Sequence, residues 1–456
     1  TNIQKNQITE GIIWRQLLLF FFPILLGTFF QQLYNTIDSV IVGQFVGKEA
    51  LAAVGGSSAQ IVAFVVGFFT GLSSGASVTI AQFFGAKDSR SANKGLHTAY
   101  AIAAFGGLIL TVSGIILTPF LLEMMNTPAD IVADSAVYLR IYFAGIIFVL
   151  IYNMGSAILR ATGDSKRPLY YLIVCCIINI VLDVLFVIVF HMGVMGVAVA
   201  TLIAQAVSAV LVTLKLMRSE GILKLSVKQI RFHGSILKMQ LKLGLPTGFE
   251  AILFSITNIA IQSAVNTFGT DTTAAWSAYG KLDAIFWMVS TAFGIAITTF
   301  VGQNYGAGKM DRVRKSTRVC LLMDFIVSAV LVVFLIAARF LLFRLFTNDS
   351  HVIEIGCDML VLITPWYIVY VFIEVIAGAL RGVGNVVVPV AITLLGVCVL
   401  RIAWLAAMLK ISPTISAIIL SYPVTWVITA LAFIIYYIYI THKTIAGSSK
   451  KHVPKL

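Results

Sequence analysis

Apolar residues fill this chain in long blocks, separated by short polar connections. A helix rises about 1.5 Å per residue, so a hydrocarbon core about 30 Å thick needs about 20 apolar residues in succession. Twelve such runs occur, near residues 15–43, 52–83, 94–118, 133–158, 169–190, 194–217, 240–267, 274–301, 316–342, 353–379, 387–409 and 414–441. They predict twelve membrane-spanning helices, numbered one to twelve in chain order, and an all-α integral membrane protein. The first run is too long for a signal-peptide core and lacks a small-residue cleavage site, so it is expected to remain a helix.

The pattern is duplicated. Arg160-Ala-Thr-Gly-Asp164 with Pro168 returns as Arg381-Gly-Val-Gly-Asn385 with Pro389, a spacing of about 221 residues. Pro23 and Asn35 match Pro246 and Asn258, and Gln82 to Ala86 matches Gln303 to Ala307. Six spans per copy is an even number, so both copies start on the same side and the repeat is parallel. Two pseudo-symmetric six-helix lobes, 1–217 and 240–441, are expected around a central cavity, with their axis along the membrane normal. Gly85, Gly163, Gly306 and Gly384 are expected to mark tight turns. Between the lobes, 218–239 alternates Ile222, Leu223, Leu225, Val227 and Ile230 with Lys224, Lys228 and Arg231. That segment is read as a cytoplasmic amphipathic linker, and 442–456 as a basic cytoplasmic tail.

Composition confirms the class: 59% hydrophobic and 11% charged residues exclude a soluble chain of 456 residues. The net charge of +13 would suit nucleic acid if it were clustered. It follows topology instead. With a cytoplasmic N-terminus, roughly 25 of the 32 Lys and Arg fall in cytoplasmic segments. A multi-pass protein of the cell (inner) membrane with both termini cytoplasmic is expected, with the lipid bilayer and no nucleic acid as partner. Neither a metal-protease helix, a nucleophile elbow nor a phosphate loop occurs, so the chain is read as no enzyme and as needing no cofactor.

A carboxylate inside a span is expensive and calls for a reason. Helix five carries Asn179 and Asp183 four residues apart on one face, helix six carries Thr201, and helix one carries Asp38. Asp183 lies roughly 21 Å from the start of its span and Thr201 roughly 10 Å from the opposite boundary, which puts them at nearly one depth. Oxygens at one level make a hard-cation site or a proton-binding carboxylate cluster; a polar cluster that only pins helices is the plainer alternative. The second copy has Ile261 and Trp404 where the first has Asp38 and Asp183. Gln31, Gln32, Tyr34 and Asn35 are candidates to line a substrate cavity by hydrogen bonding. Met154, Phe254, Phe286, Trp287 and Met288 are candidates for its apolar wall, with ordinary packing as the alternative. Glu374 is either a cavity acid or a partner for a basic residue. Arg401, in mid-span, must find an acid or carbonyls, with Glu374 and Asp324 the nearest suspects. Lys281 and Asp283, two apart, face different directions, and each is expected to pair elsewhere or snorkel.

Helix one as Pro23 to Asp38, the Asn179 and Asp183 pair, Thr201, the Gly-Ala turns and the duplicated Leu-Arg-Gly/Ala-x-Gly segments together resemble the multidrug and toxic compound extrusion (MATE) transporters over nearly the whole chain. The resemblance implies two six-helix lobes, a V-shaped cavity, and export of small cationic or amphiphilic organic compounds by antiport with H⁺ or Na⁺. In some prokaryotic members the matching residues form the cation site; carried over, that site is Asp38, Asn179, Asp183 and Thr201, which would be the metal ligands if the ion is Na⁺. One departure stands out: an acid that some branches carry in helix seven is Phe254 here, and the nearest acid, Glu250, is displaced by four residues. Pro23 lacks a backbone donor and weakens helix one about four turns before Asp38, a candidate hinge. A monomer is expected. A flippase of related architecture would need several cavity Arg or Lys for an anionic headgroup, where the first lobe is acidic; a cation-coupled importer would share the carboxylates.

Overall fold

The computed structural model describes residues 7–448, with side chains from Ile8 to His442. Its twelve long helices are Ile13–Phe45, Lys48–Gly85, Ser89–Met124, Val132–Ala161, Lys166–Val189, Gly193–Met217, Gly234–Asn266, Thr270–Gly306, Met310–Arg344, Ser350–Gly382, Val387–Ile411 and Ile415–His442. No strand occurs among the described residues. Helix one runs unbroken through Pro23. Helix five ends in a π-helical turn, Val184–Val189, directly after Asp183, whereas helix eleven carries its own, Leu394–Val399, just before Arg401. Such turns open the hydrogen-bond ladder and gather at functional positions.

The duplicated turns are the same device used twice. Gly163 and Gly384 take φ of 98° and 87°, and the amides of Asp164 and Asn385 reach back to the carbonyls of Leu159 and Leu380 at 2.9 and 3.0 Å. This caps the helix end with bonds six residues to one. The turns after helices two and eight do likewise, from Asp88 to Phe83 and from Lys309 to Asn304. There the left-handed residue is not Gly85 or Gly306, which stay helical, but Lys87 at φ 59° and Gly308 at 71°. After helix two the Asp88 side chain also accepts from the Ser91 amide at 3.0 Å, and the Ser91 hydroxyl together with that amide holds its carboxyl below the usual range.

Two compact units emerge, Leu19–Ala251 and Thr1–Leu18 with Ile252–Leu456. The division therefore falls inside helices one and seven, not at the linker 218–239. Glycines explain the reassignment of helix seven. A Cβ on Gly75 would lie 2.4 Å from the Gln240 carbonyl and the Gly244 amide, and one on Gly71 2.4 Å from the Gly248 amide. Helix two and the first half of helix seven thus touch backbone to backbone, as small-residue seams in membranes allow. In the other unit, Arg312 donates from Nε and Nη2 to the Ile8 carbonyl at 3.0 and 2.9 Å, and Lys309 Nζ donates to the Thr9 carbonyl at 3.0 Å.

The linker is irregular, with two short 3₁₀ turns at Gly221–Leu223 and Val227–Gln229. Helix three ties it down. Asn93 Nδ2 donates to the carbonyls of Ile222 and Lys224 at 3.1 Å, the Ser226 amide donates to His97 Nε2 at 3.0 Å, and Leu225 is buried. Burial and the neighbouring Arg231 push the His233 imidazole down, which leaves its ring nitrogen free to accept from Arg231 Nε. Helix seven starts at Gly234, earlier than the expected 240. The expected tail, 442–456, lies outside the described residues from Ser449 onward.

Candidate cation site

In the unit Leu19–Ala251, three helices deliver their polar residues to one buried place. Asp38 is 8% exposed, Asn179 1%, Asp183 0% and Thr201 8%. Thr201 Oγ1 donates to Asp38 Oδ2 at 3.5 Å and accepts from Asn179 Nδ2 at 3.4 Å, both long contacts. The carboxyls of Asp38 and Asp183 lie close enough to feel each other's charge. As bare carboxylates neither can donate, so Asp38 Oδ1, both oxygens of Asp183 and Asn179 Oδ1 face no donor at all.

Such an arrangement has a defined chemistry. Buried oxygens with unused lone pairs and two formal negative charges are costly unless a positive species joins them. A proton gives one carboxyl a donor for the other; a hard alkali ion takes several oxygens together. The donor set fits either. No cluster of three His, Cys, Asp or Glu gathers anywhere among the described residues, so a thiolate or imidazole site for a transition metal is not built.

Neighbours that the sequence did not single out complete the place. Gln205, four residues after Thr201 and so on its face, donates from Nε2 to the Tyr34 hydroxyl at 3.4 Å. Tyr138 and Tyr142 stack with centroids 6.2 Å apart, and Tyr138 lies close enough to feel both aspartates. The i,i+4 spacing could have flagged Gln205; nothing in sequence links Tyr138 to helix one.

The candidate cavity residues divide. Gln31, Gln32 and Asn35 are exposed on helix one, and Phe254, Trp287 and Met288 are half-buried. Tyr34 is instead 7% exposed and engaged with Gln205. Met154, at 1%, sits in the core with Leu150, Ile158 and Val212, and Phe286, at 0%, stacks on Tyr367 at 3.9 Å. Both are packing residues, because mid-helix positions facing neighbouring helices are filled to density. Glu374 pairs with Arg381 at 3.0 Å, one helix turn pair along helix ten, and its carboxylate rests on Gly294.

Arg401 is held neither by an acid nor by carbonyls, the partners expected for it. Its guanidinium lies 4.0 Å over the Tyr422 ring and 5.9 Å from Trp426, and donates to Thr425 Oγ1 at 3.0 Å. Aromatic faces attract a cation and Arg stacks well, so no carboxylate is needed. Asp283 is likewise satisfied, by the hydroxyls of Tyr279 and Tyr367 and by Trp287 Nε1 at 2.7 Å.

A family model described as MatE matches residues 23–185 and 246–405, one stretch in each copy of the repeat. The chain belongs to the MatE family. It is similar to two Bacillus subtilis proteins named probable multidrug resistance proteins. YoeA is 30% identical over 393 residues, covering 84% of each chain, and YpnP 30% over 400 residues, covering 88% of this chain and 89% of its own. The fold is that of a solved MOP superfamily transporter from Pyrococcus furiosus, with a TM-score of 0.90 at 20% identity, covering 99% of this chain and all of that one. An outward-facing multidrug resistance MATE family transporter superposes equally well. This MatE-family chain is thus a multi-pass membrane transporter, with helices only and twelve candidate spans among the described residues.

Proposed function

We propose that the protein exports small cationic or amphiphilic organic compounds by antiport with H⁺ or Na⁺, and that Asp38, Asn179, Asp183 and Thr201 hold the coupling ion. The observation that carries this reading is the set of four buried side-chain oxygens without a donor, two of them on Asp183. A polar cluster that merely pins helices would satisfy its own lone pairs. The names of the Bacillus relatives support drugs as cargo, and the acidic character of the site argues against an anionic headgroup as substrate.

Coupling follows from linkage. An ion shifts a conformational equilibrium only by binding one state better than the other. Asp38 sits on the helix that contains Pro23, a position where one backbone bond is already missing. Neutralising Asp38 alters its contact with Asp183 and Thr201, and helix one rearranges about Pro23 in response. Cargo and ion then alternate, with both termini on the cytoplasmic side of the inner membrane.

Purified protein in liposomes, given a pH gradient and then a sodium gradient, measures the coupling ion directly. Asp38→Asn is expected to lose gradient-driven transport at least tenfold while folding normally. Full activity in that variant would sink the site.

A further inference from the structure

A cavity of about 780 Å³ opens where helix nine ends and helix ten begins, well away from the aspartates in sequence and on different helices. Helix nine contributes Arg339, Phe340 and Arg344; helix ten contributes Glu354, Asp358 and Val361. Helix nine stops at Arg344 and helix ten starts at Ser350, so the cavity lies at the mouth of the turn between two spans. Arg339 is five residues inside, about 7.5 Å along the helix. A turn between two spans is where a helical membrane protein meets the polar headgroup region.

The charges are sorted by helix, both cations on one wall and both acids on the other. No ion pair joins either arginine to either acid. Arg339 is instead steadied by its own helix, donating from Nη1 to the Ile336 carbonyl at 2.7 Å with its guanidinium 4.7 Å over the Phe340 ring. Glu354 and Asp358 stand four residues apart, on one face. Apart from these four charges the lining is mostly apolar, and the surface around it is greasy: Phe340 is 52% exposed, Leu341 67%, Leu345 72% and Val361 42%. Four charges that could neutralise one another in pairs stand apart across a space the size of a small-ligand pocket.

We propose that this cavity binds the headgroup of a membrane phospholipid bearing a phosphate and a primary ammonium, as in phosphatidylethanolamine. The arginine wall takes the phosphate, for which guanidinium forks are the strongest neutral-pH match. The acidic wall takes the ammonium, whose three N–H groups donate to Glu354 and Asp358. The acyl chains run down the exposed apolar face of helix nine. A choline headgroup carries the same charge with no N–H to give, and a glycerol headgroup leaves both acids without a cation. The preference is therefore built into the charge order of the walls. It is independent of the transport reading, since it uses none of the same residues.

Native mass spectrometry of the full-length protein, with phosphatidylethanolamine, phosphatidylcholine and phosphatidylglycerol of identical acyl chains, tests it. The ethanolamine lipid should be retained at least fivefold more than the choline lipid. Arg339→Gln with Arg344→Gln should lower retention of the ethanolamine and glycerol lipids at least tenfold. Glu354→Gln with Asp358→Asn should bring the ethanolamine lipid down to the choline level and leave the choline lipid unchanged. The single variants Arg344→Gln and Glu354→Gln, at exposed positions, give the same trends without burdening the fold. Soluble glycerophosphoethanolamine and inorganic phosphate should fail to compete at concentrations where the lipid binds. Equal retention of all three lipids, unaltered retention in the double arginine variant, or competition by the soluble compounds at lipid concentrations would each overturn the assignment.

Discussion

The two copies of the repeat fill equivalent positions with opposite chemistry. Asp38, Asp183, Thr201 and Gln205 in one copy correspond to Ile261, Trp404, Tyr422 and Trp426 in the other. Where the first copy gathers two carboxylates, three of whose oxygens face no donor, the second seals the place: Ile261 is buried against Leu405 and Ile418, and Trp404 Nε1 donates to the Ala417 carbonyl at 2.8 Å. Its mid-span Asp283 is satisfied by hydroxyls and an indole and Arg401 lies on aromatic rings, although Arg401 Nε and Asp324 Oδ2 have no hydrogen-bond partner. Turn geometry was kept in both copies while the interior chemistry diverged. A buried charge with all its partners in place belongs to the architecture, and a buried charge without them invites an exchangeable ion.

The sharpest way to break this comparison is to exchange the chemistry on each side. Asp183→Asn is expected to reduce gradient-driven transport in liposomes at least tenfold with little change in thermal stability. Trp404→Phe, at the corresponding position, should keep transport within twofold and lose about 1 kcal/mol from the missing hydrogen bond, measured by unfolding in detergent. Loss of coupling in both variants would mean that the second copy is no inert counterpart.

Next in size come changes that test packing. Gly75→Leu places a side chain against the backbone of helix seven and is expected to cost about 3 kcal/mol or to prevent folding, read as the yield of monodisperse protein. Arg401→Ala removes a cation that its rings enclose and should destabilise by about 2 to 4 kcal/mol, whereas Arg401→Met, which refills the volume, should recover most of that. If the methionine variant were as unstable as the alanine one, the guanidinium would be engaged with something stronger than aromatic faces. The smallest effect concerns the turns. Lys87→Gly should stabilise by about 1 kcal/mol, because the left-handed backbone that Gly308 adopts freely is strained for lysine. Gly308→Ala should shift the melting temperature in the opposite direction.

Much of the site was legible because membrane burial makes polar residues conspicuous. Asp38, Asn179, Asp183 and Thr201 stood out against apolar surroundings, and helical rise alone put Asp183 and Thr201 at nearly one depth. Tyr138 did not stand out, since an aromatic residue is as much at home in a core as beside an ion, and Tyr34, a candidate for the cavity, lies buried against Gln205 instead. Arg401 was illegible for a related reason: acids and carbonyls are the partners a buried guanidinium suggests, and its rings at 422 and 426 read as packing. Composition changes at the linker, which sequence therefore marks; the contact of Gly71 and Gly75 with Gly244 and Gly248 joins residues some 170 positions apart and leaves no such mark.

The number of spans, their parallel duplication and the identity of the residues too polar for lipid were determined by the chain itself, since hydropathy and period are local properties of sequence. Which of those polar residues meet, and which are satisfied on meeting, was decided by the tertiary structure. Two aspartates 145 positions apart become one site only when helices one and five lie side by side, and satisfaction depends on partners that local sequence does not name.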